Sequence, residues 1–199
     1  SFERICSEIQ NLAYLNKGIK FTVSNFKEVK EFYSKNGIAD FINHKAENAL
    51  MKPIICSAKD DRDEVEVAFM WATGGEQSYV FVNGLFCPEG GAPITGAKTA
   101  ITSVIKKLSG EDLAPELIRK GLVYAINCKV AEPSFANQTK TKINNPNLRT
   151  LASQAFREGL QTFAKSKDCD KILKMLSKFQ KAEKAAERAR KQVLDTARE

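Results

Sequence analysis

The chain has 199 residues, 43% hydrophobic and 28% charged, with 31 lysines and arginines against 24 acidic residues and a formal net charge of +7. This is ordinary globular composition, enough for one large domain or a domain with an extension, and it contains no apolar run of about eighteen residues that could span a membrane. The positive excess permits polyanion partners such as DNA without identifying one.

Five cysteines (Cys6, Cys56, Cys87, Cys128 and Cys169) are widely spaced without a C-x-x-C pair, and His44 is the single histidine. That pattern predicts reduced thiols, several of them in the core, and no zinc site. Ser1-Phe2-Glu3-Arg4 lacks the apolar segment and cleavage site of a signal peptide. It opens inside a helical pattern, as expected of a fragment of something longer.

Phe2 to about Asn16 reads as a helix, with Phe2, Ile5, Cys6, Ile9, Leu12 and Ala13 at helical spacing and Gly18 as a stop. Ile19–Ser24 alternates like a short strand. Phe26–Tyr33 is predicted as a short helix or helical turn, and Gly37 to about Leu50 gives a weaker helical signal. A polar turn at residues 59–63 leads into a strand with Val65, Val67, Phe69 and Trp71 on one face. That placement assigns Phe69 and Trp71 to the core rather than to a base-stacking platform. Gly74-Gly75 predicts a hairpin turn, with Tyr79–Asn83 returning, and a loop rich in glycine and proline follows at residues 88–93.

Ala97–Leu108 is a patterned helix. Leu122–Val130 alternates as a strand, and a loop runs from Ala131 to Asn145. Asn145 then Pro146 predicts a capped helix start, with Leu148, Leu151, Ala152, Ala155, Phe156, Leu160 and Phe163 on its apolar face. From Ile172 to Val193 apolar residues recur every three or four positions among Lys, Arg and Glu, predicting a long terminal helix that serves as a lever or a connection. Strands, crossover helix, strand and helix together give an α+β fold with helices on one face of a sheet.

One phrase carries more. Phe135-Ala136-Asn137-Gln138-Thr139-Lys140-Thr141-Lys142, approached through Pro133-Ser134-Phe135, resembles the Gln-Thr-Lys loop of type IIA DNA topoisomerase ATPase subunits: gyrase B, the ParE subunit of topoisomerase IV, phage topoisomerases and eukaryotic topoisomerase II. Taken alone, such a short motif is commonly a solvated polar loop. The surrounding chain is similar as well. Leu12-Ala13-Tyr14-Leu15-Asn16 resembles the family's "LxFLN" helix. Val65–Ala68 with Trp71, and Phe81-Val82-Asn83, resemble the first hairpin of the transducer domain. Glu89-Gly90-Gly91 resembles its "GG" turn, Arg119 with Gly121-Leu122 its "REGL", and Ala182–Arg198 the helix toward the Toprim domain.

Three departures stand out. "GGTH" is here Gly91-Ala92-Pro93, "REGL" is Arg119-Lys120-Gly121-Leu122, and Ser103 replaces an arginine of the gyrase branch. Pro88–Ser103 and Leu122–Val130 look nearer to the large subunits of T-even-type phage.

The resemblance implies a transducer domain of the left-handed βαβ type, shared with a ribosomal small-subunit protein. Residues 1–18 would end the GHKL ATPase domain, 19–167 form the transducer, and 168–199 the helix toward the cleavage region. Lys140, as γ-phosphate contact, and Gln138, positioning that phosphate or a nearby water, are the implied catalytic residues. ATP and Mg²⁺ would be bound mainly by an ATPase domain not contained in these residues, and no metal ligand is assigned here. Double-stranded DNA, the ATPase and Toprim regions and a second protomer are the implied partners, in the cytoplasm and without a membrane. Arg119, Lys106 and Lys107 are candidates to face DNA. Alternative readings are the transducer of a MutL-type GHKL ATPase and a non-enzymatic nucleic-acid-binding module of the same topology.

Overall fold

The computed structural model describes residues 1–199. Helix α1 (Phe2–Leu15), its first turn capped by the Ser1 hydroxyl, leads into a two-stranded antiparallel ribbon of β1 (Phe21–Ser24) and β2 (Val29–Phe32). The helical turn expected over Phe26–Tyr33 is therefore a strand. Asn25 explains the difference: its Oδ1 accepts the backbone N–H groups of Lys27 and Glu28, at 2.8 Å each, and turns the chain back. Helix α2 (Ile38–Lys45) is shorter than the expected Gly37–Leu50, and β3 (Glu47–Ala49) follows it.

The main sheet is built on β5 (Glu64–Thr73). Along one edge it pairs with β4 (Ile54–Lys59), unforeseen in the sequence, and at its end with β3. Along the other edge lies β9 (Leu122–Lys129), antiparallel and in register from Glu64↔Lys129 to Trp71↔Leu122. Beyond β9 comes β6 (Gln77–Val82), parallel to it, and then the short β7 (Leu85–Phe86). The expected hairpin between Val65–Trp71 and Tyr79–Asn83 is thus opened, because β9 lies between its two strands. The burial of β9 gives the reason. Leu122 to Cys128 are all buried, so the strand needs a neighbour on both sides and cover on both faces. The close entry of β9 beneath the 74–76 turn requires Gly121: its φ is +83°, a Cβ there would lie 2.2 Å from the Ala72 carbonyl oxygen, and its own carbonyl accepts the Ala72 N–H at 2.7 Å.

Two helices cover one face. α3 (Ala92–Ser109) is the crossover between β6 and β9, followed by the short α4 (Pro115–Ile118), and α5 (Asn147–Ala164) packs beside α3. Phe156 meets Phe69 and Tyr124, with ring centroids at 5.6 and 5.7 Å, and Phe163 meets Trp71 at 5.1 Å. α2 covers the opposite face, where Phe41 packs edge-on against Tyr79 and Phe81 at 4.9 and 5.4 Å. Helices therefore lie on both faces rather than on one. The apolar face of α2 (Ile38, Ala39, Phe41, Ile42) buries the side of β9 that α5 does not reach.

Asn145 does not cap α5. Its side-chain oxygen accepts the Ser134 N–H at 2.7 Å and its amide donates to the Glu132 carbonyl at 3.0 Å, closing the base of the preceding loop. Asn147 binds Asp60 and Asp63 instead, at 2.9 and 2.7 Å. All five cysteines are free thiols, and every one but Cys56 is buried. Burial pushes the Cys128 thiol up to about 12.

The last helix, α6 (Cys169–Ala197), is held only at its start. Cys169, Ile172 and Leu176 are buried, Lys120 stands over the Phe179 ring at 4.5 Å, and the Gln180 side chain accepts the Ala114 N–H at 2.8 Å. Beyond that the helix projects for about 27 Å at 1.5 Å per residue.

Candidate functional site

The loop carrying Gln138-Thr139-Lys140 is built from the end of β9 outward. Asn83, at φ 50°, accepts the Val130 N–H with Oδ1 and donates from Nδ2 to the Val130 carbonyl, both at 2.9 Å. Asp63, itself buried, accepts the Ala131 N–H at 2.9 Å. The chain then folds into a small hairpin. Phe135 bridges Ile143, the Ala136 N–H donates to the Lys142 carbonyl at 2.9 Å, and the Asn144 N–H to that of Ser134 at 2.7 Å.

This hairpin is fixed to the start of α3. β10 (Lys142–Ile143) pairs in parallel with β8 (Gly90–Gly91), and the Glu89 N–H donates to the Thr141 carbonyl at 2.9 Å. At Gly91 φ is +117° and a Cβ would lie 2.0 Å from the Ile143 carbonyl oxygen, so only glycine permits the two segments to meet. The two-glycine turn is thus the platform on which the loop rests.

At the tip the Lys140 N–H donates to the Asn137 carbonyl at 3.3 Å, with Gln138 and Thr139 between them, and Lys140 sits in the left-handed region at φ 56°. Asn137 accepts the Thr141 N–H at 3.0 Å and donates to the Thr141 hydroxyl at 2.7 Å and to Glu89 Oε2 at 3.2 Å. The Thr141 hydroxyl also donates to Glu89 Oε2. The Cys87 thiol, whose pKa burial raises, donates to the Lys140 carbonyl at 3.5 Å. Gln138, Thr139 and Lys140 are exposed. The Lys140 ammonium stands 5.8 Å from the centroid of the Phe135 ring. It is a positive charge on a fixed base, facing outward, and can meet an anion presented from outside. No group of three or more His, Cys, Asp or Glu side chains is arranged to hold a metal ion.

The other candidate residues lie at the far end of the fold. Arg119 precedes β9, whereas the loop follows it. The Arg119 Nε donates to both carboxylate oxygens of Glu76, at 2.9 and 3.1 Å, and its side chain is 13% exposed. Lys106 pairs with Asp112 at 3.4 Å, and Lys107 is exposed beside it in the last turn of α3, the end away from the loop. The structure thus places Gln138 and Lys140 together at one pole, and Arg119, Lys106, Lys107 and the root of α6 at the other. Glu89, Asn137 and Thr141 are not marked as functional residues by the sequence. Glu89 is visible there only as part of a turn, and its bond to a segment about fifty residues away leaves no local trace.

This architecture is that of the ATPase regions of type II topoisomerases. It superposes on the 43K ATPase domain of Thermus thermophilus gyrase B, solved with an aminocoumarin, with a TM-score of 0.88 and 22% identity, covering 96% of this chain and 56% of that one. On the ATPase region of Saccharomyces cerevisiae topoisomerase II the TM-score is 0.61 at 16% identity, covering 87% of this chain and 44% of that one. The sequence narrows the class: the family model for DNA gyrase B matches residues 37–192, and the chain belongs to that family. The DNA gyrase B protein of Bacillus mycoides is 31% identical over 178 residues, and that of Cytophaga aurantiaca 29% over 215. The matches cover 81% and 96% of this chain, which spans 44% and 45% of those relatives.

Proposed function

We propose that this chain is the transducer region of an ATP-dependent type II DNA topoisomerase. Residues 1–18 end its ATPase domain, 19–167 transmit the state of the nucleotide, and 168–199 lead toward the DNA-cleaving region. The observation that carries the reading is Lys140: an exposed ammonium at the tip of a hairpin pinned to the start of α3, on a chain whose family and fold are those of gyrase B.

ATP with Mg²⁺ supplies the γ-phosphate whose transfer to water spreads negative charge over its oxygens. Lys140 meets that charge with a compact cation on a flexible stem. Gln138, two residues earlier on the same tip, offers an amide to orient the phosphate or a water beside it. Losing one preorganised donor of this kind costs about 3–4 kcal/mol, a hundred- to thousand-fold in rate. When the γ-phosphate is gone, the tip is released and the two regions are free to rotate, a recognised form of switch. Double-stranded DNA, a second protomer and a cytoplasmic setting complete the proposal.

The test is ATP hydrolysis by the full-length protein with Lys140→Ala, nucleotide binding being measured in parallel. Turnover falling by about two orders of magnitude with binding largely retained supports the reading. Unchanged turnover overturns it. Tight, salt-sensitive binding of nucleic acid by the chain alone would then favour a non-enzymatic binding module.

A further inference from the structure

Glu89 is the one carboxylate hydrogen-bonded to the tip of the loop, and it is engaged by neutral donors. Its Oε2 accepts from the Asn137 amide at 3.2 Å and from the Thr141 hydroxyl, and its backbone N–H donates to the Thr141 carbonyl at 2.9 Å. Asn137 and Thr141 are themselves joined twice, at 2.7 and 3.0 Å. The three residues bracket Gln138-Thr139-Lys140 at both ends, and Lys140 is held between them in a backbone conformation that a non-glycine residue seldom adopts unaided.

We infer that Glu89 is a positioning residue for Lys140: through Asn137 and Thr141 it fixes the 137–141 turn so that the ammonium is presented outward. The inference rests on Lys140 being the γ-phosphate contact. Preorganisation of this kind matters because a displacement of about 1 Å in a group that meets the transition state can cost up to a hundredfold in rate. Both donors converge on one oxygen and neither is charged, so the negative charge of Glu89 is dispensable. The amide oxygen of glutamine can accept both bonds, whereas alanine can accept neither.

The experiment measures steady-state ATP turnover of the full-length protein carrying Glu89→Ala, Glu89→Gln, Lys140→Ala and the Glu89→Ala/Lys140→Ala double change. Amide hydrogen exchange over residues 137–141 is followed on the same proteins. In Glu89→Ala, kcat is expected to fall about tenfold with KM nearly unchanged, and exchange over the tip to quicken. Glu89→Gln should restore both. Once Lys140 is alanine, Glu89→Ala should have no further effect, since the positioned group is gone. A silent Lys140→Ala removes the reading on which the inference rests, and the inference with it. If Lys140→Ala lowers turnover as expected, to a rate that is still measurable, three results each overturn the positioning role alone: Glu89→Ala is silent, its loss multiplies that of Lys140→Ala, or glutamine serves no better than alanine.

Discussion

The side chain of Asn83 takes both backbone hydrogen bonds of Val130, donating to the carbonyl and accepting from the N–H at 2.9 Å each. It gives Val130 the two bonds that a continued β6, parallel to β9, would have supplied from two positions of its backbone, and so sets where β9 stops and the loop begins. Asn83 also occupies a left-handed conformation, at φ 50°, that asparagine tolerates better than alanine. Asn83→Ala should therefore cost about 1–3 kcal/mol, two modest hydrogen bonds plus backbone strain. Asn83→Gly should cost less, because it loses only the bonds. Urea unfolding of the three proteins decides this; equal stabilities would show that the β9 terminus does not depend on this side chain.

A second prediction concerns acid. Hydrogen bonds from the Asn147 amide and from the backbone N–H groups of Arg62 and Asp63 hold the Asp60 carboxyl below the usual carboxylate range. A carboxyl depressed in the folded state stabilises the fold above its unfolded value of about 3.9, and that stability is lost as pH falls through the folded value. Asn147→Ala removes the largest of these influences and also takes away the partner of Asp63 Oδ2, whose Oδ1 keeps the Ala131 N–H. It should lower stability at pH 7 and flatten the fall between about pH 4 and the folded value of Asp60. Denaturant midpoints taken across that range check it, and an acid limb of unchanged steepness would count against this role of Asn147.

These two cases mark how far the sequence can be read. Helices α1, α3, α5 and α6 and strands β5 and β9 are long and periodic enough to be legible, and the Gln-Thr-Lys phrase locates the loop. What fails are elements whose identity depends on partners distant in the chain. β4 is a strand because β5 offers it an edge, β2 because Asn25 turns the chain, and β5 and β6 part because β9 inserts between them. The Asn145–Pro146 pair reads correctly as a helix start, yet Asn145 serves Ser134, eleven residues earlier. The role proposed for Lys140 comes from its motif. The bracket of Glu89, Asn137 and Thr141 that holds the lysine is not visible in the sequence, since the bonds that tie it to Glu89 cross about fifty residues.

The Arg119–Glu76 pair separates two roles that the sequence leaves open. With a side chain 13% exposed and two bonds to one carboxylate, Arg119 is placed to fasten the start of β9 to the 74–76 turn. Arg119→Met should destabilise the protein by about 1–3 kcal/mol and leave the salt dependence of any DNA binding unaltered. Lys107 is exposed and free to meet a phosphate. If this pole faces DNA, Lys107→Ala should leave stability within about 0.5 kcal/mol and reduce the salt slope by about 1. Unfolding and salt-titrated DNA binding of the full-length protein separate the two; a slope that changes with Arg119 would place that side chain on the DNA.

The projecting part of α6 yields the last prediction. From Lys181 onward the helix is exposed almost throughout, and its final ties to the body are Phe179 under Lys120 and Gln180 on Ala114. Ala189→Pro lies about two and a half turns beyond those ties. It costs about 3 kcal/mol of local helix, yet the domain loses no tertiary contact. Its melting temperature should stay unchanged while far-ultraviolet helicity falls. A rigid arm and a tether then differ in one measurable way. If α6 transmits rotation as a rod, Ala189→Pro in the full-length protein leaves ATP turnover intact and lowers the number of DNA strands passed per ATP consumed. If that ratio is unchanged, continuity of the helix is not what couples the two ends of the molecule, and the arm is only a connection.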